Sequence, residues 1–536
     1  MHTSVADQNT KRPCKPVSPA PHERPGEFPA AAGLPVRTLS SALWVDQLVL
    51  ITAIIVAAVA LWRVQMVVRW NLASPYDLVF ESPNLASINA LRSGLNIYDP
   101  AVFNAPPFVF TLYTPLYHLI CAALPSSANA FLTGRWVALV FMVLAVVGIC
   151  RAARPRPWPI ILLALSLFCL LHPVTANAGF LKNDAVALFF SVLAMLVLRN
   201  RRGNHLRLAG AALCCVLALA AKQVFVAASA ACFVSLLIHQ PRRDAFRFGL
   251  YYVLFAALSA AVAQIAWGNG FWFCALAAPQ MPFDLAQFTA QWALMLKQPT
   301  FVLLNVFVIT GVVVSFFQRQ GKQLAANPFF LYFAFAEAIL FATVGKPGSS
   351  TNYFIESSLA ATFLLVSIGP SLSVQNFSKV AVTGLCLGAV VLEMASAKPR
   401  EFAFMDAGFI AWRTQFHQRL GANAESIAAG AKPLRTLNLA TASTFYDWPG
   451  ETSVTDPYLY FLLWDRGVLS PEPLVRALRS QFYDVVVFRN DGVWMTSAHT
   501  DGVGVILRAV RDSYQLARSD AGFDYWTRLP LERRGQ

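Results

Sequence analysis

The chain has 536 residues, 57% of them hydrophobic and 13% charged, and its mean hydropathy is +0.52. That balance excludes an ordinary soluble domain and fits a polytopic membrane protein. The net charge of +14 does not signal nucleic acid, because Lys and Arg fall in short clusters between apolar runs, the pattern by which cytoplasmic loops orient a membrane chain.

Residues 1–42 are Pro-rich and polar, with Lys11, Arg12, Lys15, Arg24 and Arg37 and no apolar run near the start. They read as a disordered cytoplasmic tail, not a cleaved signal peptide. Residues 43–395 form the membrane domain. Its first span runs from Leu43 to Trp62 or Val68, with Arg63 and Arg69 expected to snorkel or to join the loop.

A polar stretch, Asn71 to His118, follows within a first extracytoplasmic loop over 70–128. It carries Asp77, Glu81 and Asp99 in a chain with only 28 acidic residues. Carboxylates held against a bilayer are costly to desolvate, so they mark function more readily than packing. The moderately apolar segment Pro106–Leu124 lies in the same loop. The next strong span, Ala130–Cys150, ends in RAARPRP, whose arginines belong inside. With one exit and one return accounted for, Pro106–Leu124 should not cross and is expected to wall the loop.

Further spans are expected at Pro157–Pro173, Asn183–Leu198, Leu206–Ala220, Gln223–His239, Arg247–Trp267, Thr300–Phe317, Pro328–Val344, Tyr353–Gly369 and Phe377–Ala395, giving about eleven. The basic clusters RNRRGNHLR, HQPRRDAFR and QRQGKQ then all fall inside. The turn Gly268–Pro299 faces outward as a candidate re-entrant piece or lid. The cysteines, among them Cys169, Cys214, Cys215, Cys232 and Cys386, sit mostly in apolar runs without metal-ligand spacing and read as buried small hydrophobes.

Residues 396–536 change to the composition of a soluble domain. TLNLAT at Thr436–Thr441 and YDVVVF at Tyr483–Phe488 predict strands, and PEPLVRALRSQF and GVGVILRAVRDSY predict helices. The fold class is therefore an all-α polytopic membrane domain followed by a small extracytoplasmic α/β domain.

This orientation gathers polar turns on the outer face: Lys182 with Asp184, Lys222 with Gln223, and Lys346 with Asn352, Tyr353 and Glu356, besides the first loop with Tyr113 and His118. Carboxylates beside amines suit glycosyl transfer from a lipid phosphate. A carboxylate accepts the proton of the attacking hydroxyl, and a cation stabilises the departing phosphate. Each position also has a plainer account. Asp99 before Pro100 suits an Asx turn, His118 an interfacial histidine, Lys182 and Asp184 a local ion pair, and Asn352 a helix cap. Tyr113 suits an aromatic belt. Lys222 interrupts an apolar run and needs a polar chamber, and Glu356, a turn into its span, needs a partner.

YDLVFES, ALRSGLNIYDP, YTPLYH, the Arg135–Trp136 pair, GFLKNDAVALFF, AAKQVF and GKPGSSTNYFIE, taken in order, resemble the GT-C superfamily of polytopic glycosyltransferases, such as the aminoarabinose transferases and protein O-mannosyltransferases. LATASTFYDWPGETSVTDPYLYFLLWDRG resembles the soluble tail of bacterial members. The resemblance implies a multi-pass enzyme of the bacterial inner membrane with its C-terminal domain outside. It would transfer a sugar, with inversion, from a polyprenyl-phosphate donor to a lipid, glycan or protein acceptor. It points to Glu81 as general base and Asp77 as second choice, with Lys222, Lys346 and Lys182 on the phosphate. Many members carry two adjacent acidic residues where this chain has Phe80 and Glu81, so no cofactor is certain, and a divalent metal stays open without the support of a paired-acid motif. The rival classes are a transporter or flippase of a lipid-linked saccharide, against which no internal repeat is visible, and a non-catalytic envelope-assembly protein.

Overall fold

The computed structural model describes residues 37–74, 81–126, 129–153, 158–199, 204–317, 321–325, 327–368, 376–396, 422–423, 434–439, 451–454, 457–489, 501–520 and 522–529. The membrane part is a helix bundle. Its long helices are α1 (Arg37–Ala73), α5 (Leu132–Ala153), α6 (Trp158–Leu170), α8 (Asp184–Arg199), α9 (His205–Ala221), α10 (Ala227–His239), α11 (Arg242–Trp272), α13 (Pro299–Phe317), α15 (Pro328–Thr343), α16 (Phe354–Ile368) and α17 (Asn376–Ser396). Each expected span thus falls on a helix. By length and composition five stretches among the described residues suffice to cross a membrane: Trp44–Ala73, Leu132–Ala152, Arg242–Ala277, Pro299–Phe317 and Thr351–Ile368. The others are shorter, and the count of eleven crossings is not established by them.

Hydropathy places these helices, and small residues pack them. α8 and α9 meet through Ala187 and Ala194 on one side and Ala211, Ala212 and Ala218 on the other, all fully buried. Small side chains let backbones approach where lipid offers no hydrophobic contrast. Leu61, Leu258 and Ile265 point outward instead, the arrangement expected of a lipid-facing surface. α1 already covers residues 37–42, expected in the tail, and runs to Ala73, four residues into the expected loop. Arg63 corrects the sequence reading: it is buried, 3.1 Å from Glu393 of α17, whose other oxygen accepts from the Thr300 hydroxyl of α13 at 2.9 Å. A charge within the bundle is tolerable when paired in this way, so the pair ties three helices together.

The first loop carries α2 (Ser82–Arg92), α3 (Pro100–Phe103) and α4 (Leu116–Ala123). With eight residues, α4 is about 12 Å long and too short to cross, in keeping with the charge argument. The strap at residues 104–115, between α3 and α4, is irregular. α11 breaks at Gly268, whose φ of 64° and ψ of −154° only glycine adopts without strain. Beyond the break the chain turns onto the first loop so closely that a Cβ at Gly270 would sit 1.8 Å from the Tyr98 carbonyl oxygen. A π-helical turn (Phe273–Ala277) and α12 (Leu285–Leu296), capped by Asp284, complete this layer. Two short helices, α7 (His172–Asn177) and α14 (Gly321–Ala325), finish the membrane part.

The C-terminal part holds β1 (Arg435–Asn438), β2 (Glu451–Ser453), α18 (Pro457–Asp465), α19 (Glu472–Arg479), β3 (Val485–Arg489), α20 (Asp501–Ser513), β4 (Tyr514–Asp520) and β5 (Phe523–Arg528). The expected strands at 436–441 and 483–488 and both expected helices are present, whereas β2, α18, β4 and β5 were not foreseen. The sheet order is β2-β1-β3-β5-β4, with β1 parallel to β2 and β3, and β5 antiparallel to β3 and β4. α18 and the residue after β2 pack on the first loop. The Tyr460 hydroxyl donates to the Phe103 carbonyl at 3.0 Å, Val454 N–H donates to the Pro107 carbonyl at 2.9 Å, and Phe110 and Tyr460 stand 6.0 Å apart. One apolar cluster therefore runs from Phe103, Phe108 and Phe110 through Phe271 into Tyr460, Phe461 and Trp464.

Candidate functional site

Two buried charged centres lie at the loop end of the bundle. The first is built on Glu81, which precedes α2. Glu81 and Arg135 of α5 are both 0% exposed. Arg135 donates from Nε to one carboxylate oxygen at 3.0 Å and from Nη2 to the other at 2.5 Å, and Leu181 N–H adds a third bond at 2.7 Å. The remaining guanidinium nitrogen reaches the carbonyls of Asn71, at 2.7 Å, and Ser74. Bidentate pairing fixes both direction and distance. It joins the end of α1, the start of α2, α5 and the turn before α8 at one point. Gly134 is needed beside it, since a Cβ there would meet Leu181 Cγ at 2.5 Å.

Asn84, one turn into α2, extends this centre. Its amide donates to the Leu181 carbonyl at 2.9 Å, and its oxygen lies 3.0 Å from His118 Nε2. His118 is fully buried, and burial pushes its pKa down to about 4, against a smaller upward effect of the Thr114 carbonyl. At neutral pH the ring is uncharged, so His118 belongs to the packing of the loop. In this arrangement both oxygens of Glu81 are occupied by an anchor. The geometry therefore offers no free carboxylate there to take an acceptor proton. Asp77 lies outside the described residues.

The second centre assembles from helix ends far apart in sequence. Asp184 opens α8, Lys222 closes α9, and Asn352 and Tyr353 lie in the turn leading into α16. Asn183 holds the first two together by donating to the Ala221 carbonyl at 3.0 Å. Lys222 Nζ lies 2.5 Å from Asp184 Oδ1, with both side chains 3% exposed. The Asn352 amide approaches both Asp184 oxygens, at 3.4 and 3.3 Å. The Tyr353 and Tyr113 rings flank the ammonium at 5.2 and 5.8 Å, close enough for cation–π attraction. Glu356 stands next to them with one oxygen 3.2 Å from the Tyr332 hydroxyl of α15.

Asp184, Lys222, Asn352, Tyr353 and Glu356 line one side of a cavity of about 20 Å³, and Ala336, Ile339 and Leu340 of α15 face them. That volume holds about one water. Beside it, the Gln223 amide donates to the Leu112 carbonyl at 2.6 Å, and the Thr114 hydroxyl donates to the Leu219 carbonyl at 2.9 Å. The strap between α3 and α4 is thereby pinned next to Lys222.

The other candidates are placed differently. Lys182 does not pair with Asp184, which corrects the local pair expected from their spacing; its ammonium lies 3.3 Å from Asn177 Oδ1 and 5.6 Å from the Phe180 ring. Asp99 caps α3, accepting from Ala101 N–H at 2.8 Å, as its Asx-turn account had it. Lys346 is half-buried in the turn between α15 and α16 and is not among the residues lining the cavity. That turn is held by Asp284 N–H on the Gly345 carbonyl and by Gln287 on the Ser349 carbonyl, both at 2.8 Å. Among the described residues no three His, Cys, Asp or Glu side chains are placed to share a metal ion. Two residues with structural weight were missed. Arg135 was visible only as part of the Arg-Trp motif, and Tyr332 carries no local signal.

No protein-family model matches the chain, and no curated protein matches it. Solved structures do. ArnT from Cupriavidus metallidurans in the apo state aligns with 89% of this chain and 97% of its own, at a TM-score of 0.53 and 11% identity. The same protein bound to undecaprenyl phosphate aligns with 89% and 98%, at 0.53 and 12%. The Archaeoglobus fulgidus oligosaccharyltransferase in the apo form aligns with 89% of this chain and 74% of its own, at 0.52 and 10%. Identity at this level speaks for the fold alone: over 89% of its length this chain shares the fold of ArnT and of the archaeal oligosaccharyltransferase.

Proposed function

We propose that this chain is a membrane glycosyltransferase that takes a sugar from a polyprenyl-phosphate-linked donor and passes it to an extracytoplasmic lipid, glycan or protein acceptor. The carrying observation is the Lys222–Asp184 pair, buried in a cavity at the loop end of the bundle and lined by Asn352, Tyr353 and Glu356. A buried lysine is costly in an apolar bundle unless it serves a polar ligand or is paired. Here it is paired to one carboxylate while a second stands beside it. The ArnT structure bound to undecaprenyl phosphate supports the donor class.

In this reading Lys222 stabilises the negative charge that gathers on the phosphate as the sugar leaves, and Asp184, itself held by the Asn352 amide, keeps the ammonium in place. Asp77 becomes the first candidate for the base that accepts the acceptor proton, because Glu81 is engaged by Arg135 and Leu181. Backside attack with inversion requires the base and the phosphate site to lie on opposite sides of the anomeric carbon. The inner-membrane location and the outward C-terminal domain belong to the same proposal, resting on the positive-inside distribution.

Purified protein in nanodiscs, given polyprenyl-phosphate sugars and candidate acceptors, should release lipid phosphate. Lys222→Ala should lower that turnover by about 100-fold or more, the range for removing one group that stabilises developing charge. Turnover unchanged in Lys222→Ala would remove the proposed site, and movement of the donor across the bilayer without cleavage would make the chain a transporter.

A further inference from the structure

The second centre holds two carboxylates and one ammonium, and the ammonium is committed. Lys222 sits 2.5 Å from Asp184, whose oxygens also take the Asn352 amide. Glu356 has one neutral donor, the Tyr332 phenol at 3.2 Å. The groups that face it are Lys222 from the end of α9, Asp184 from the start of α8, Tyr353 from the turn before α16 and Tyr332 from α15. Glu337, further along α15, is held by the Ser357 hydroxyl. α6 and α13, which also pack on α16, carry no charged side chain; α5, which touches it too, carries Arg135, held by Glu81, and Arg151 in its last turn, and α7 carries His172. The rest of the wall is Thr343, whose hydroxyl donates to the Ile339 carbonyl, and the apolar Val224, Phe225, Ala336, Ile339 and Leu340.

A second full negative charge has no counter-ion in such a place, and a buried charge without one gives way to the neutral form. The ligand imposes the same requirement. The lipid phosphate gains negative charge as the sugar departs, and an ionised carboxylate beside it would oppose that step. A protonated one favours it, because a carboxylic acid kept neutral in an apolar site donates a hydrogen bond to a developing anion.

We infer that Glu356 works as an uncharged carboxylic acid that donates a hydrogen bond to the phosphate of the lipid-linked donor, beside the Lys222 ammonium. The inference rests on the glycosyltransferase reading above. Tyr332 orients the acid by donating to its carbonyl oxygen, leaving the acid hydrogen free to point into the cavity. No bond is made or broken at Glu356. Its part is to stabilise the anion, while Lys222 supplies the charge.

Binding of polyprenyl phosphate, the product, to the nanodisc-reconstituted full chain at pH 7 tests this. Glu356→Gln keeps shape, neutrality and a donor, and should weaken binding by no more than about threefold. Glu356→Ala removes the donor and should weaken it by about 10- to 100-fold, as expected for a lost hydrogen bond to a charged group. Thermal unfolding of each variant establishes that the bundle is intact. Tighter binding in both variants means that Glu356 is an anion repelling the phosphate, and equal binding in all three proteins means that it does not touch the ligand. Either result overturns the inference. If the wild-type chain does not bind polyprenyl phosphate at all, the glycosyltransferase reading itself falls.

Discussion

Glu81→Gln separates an anchor from a base. The change keeps volume but replaces one carboxylate oxygen with an amide NH2 that faces the Arg135 guanidinium, donor against donor. Arg135, 0% exposed, keeps the carbonyls of Asn71 and Ser74 and the remaining amide oxygen but loses its bidentate carboxylate. Breaking a buried pair by removing one partner costs about 3–5 kcal/mol. The loss falls where four segments meet, so the first loop and the turn before α8 should loosen together. Thermal unfolding in detergent, with sugar transfer measured per folded molecule, reads both effects. Glu81→Gln should lower the unfolding temperature markedly. Combining it with Arg135→Gln should recover part of the loss, because no unpaired charge then remains. If Glu81→Gln unfolds at the wild-type temperature while transfer falls by a factor of about 100 or more, within the range for losing a general base, the anchor account fails and Glu81 is the base.

Other consequences follow from the same geometry. His118 has its pKa lowered by burial from 6.5 to about 4, so the unfolded chain takes up a proton near pH 6.5 that the folded chain refuses until about pH 4. Its share of stability is therefore complete above pH 6.5, is lost as pH falls to 4, and amounts to about 3 kcal/mol at most. His118→Gln should flatten the dependence of unfolding temperature on pH in that window, and an unchanged slope would refute the assignment. Gly270→Ala places a Cβ 1.8 Å from the Tyr98 carbonyl, on rigid backbone. It should detach the end of α11 beyond Gly268 from the first loop and expose that loop to limited proteolysis; wild-type resistance to the protease would count against this packing.

Much of the architecture was legible because hydropathy is a property of short stretches. Every expected span falls on a helix, the eight-residue α4 stays on one side as the arginines after Cys150 required, and the strands at β1 and β3 announce themselves by continuous apolar runs. The convergence of Asp184, Lys222, Asn352, Tyr353 and Glu356 was visible as well, because each lies at a helix end and the alternation of spans puts those ends on one face. β4 and β5 were not legible. They read YQLARSD and FDYWTR, mixing charged and apolar residues, and the strands form by pairing with each other and with β3, which composition does not announce.

What composition and the order of basic clusters determined by themselves is the class, the helix positions and the face on which polar residues gather. The choice of partners belonged to the tertiary structure. Asp184 pairs with Lys222, 38 residues away, and not with Lys182 two positions before it. Glu81 is taken up by an arginine 54 residues on. Spacing along the chain says which residues share an end of the bundle, but a carboxylate's role is set by what stands within 3 Å of it, and helices distant in sequence supply those neighbours.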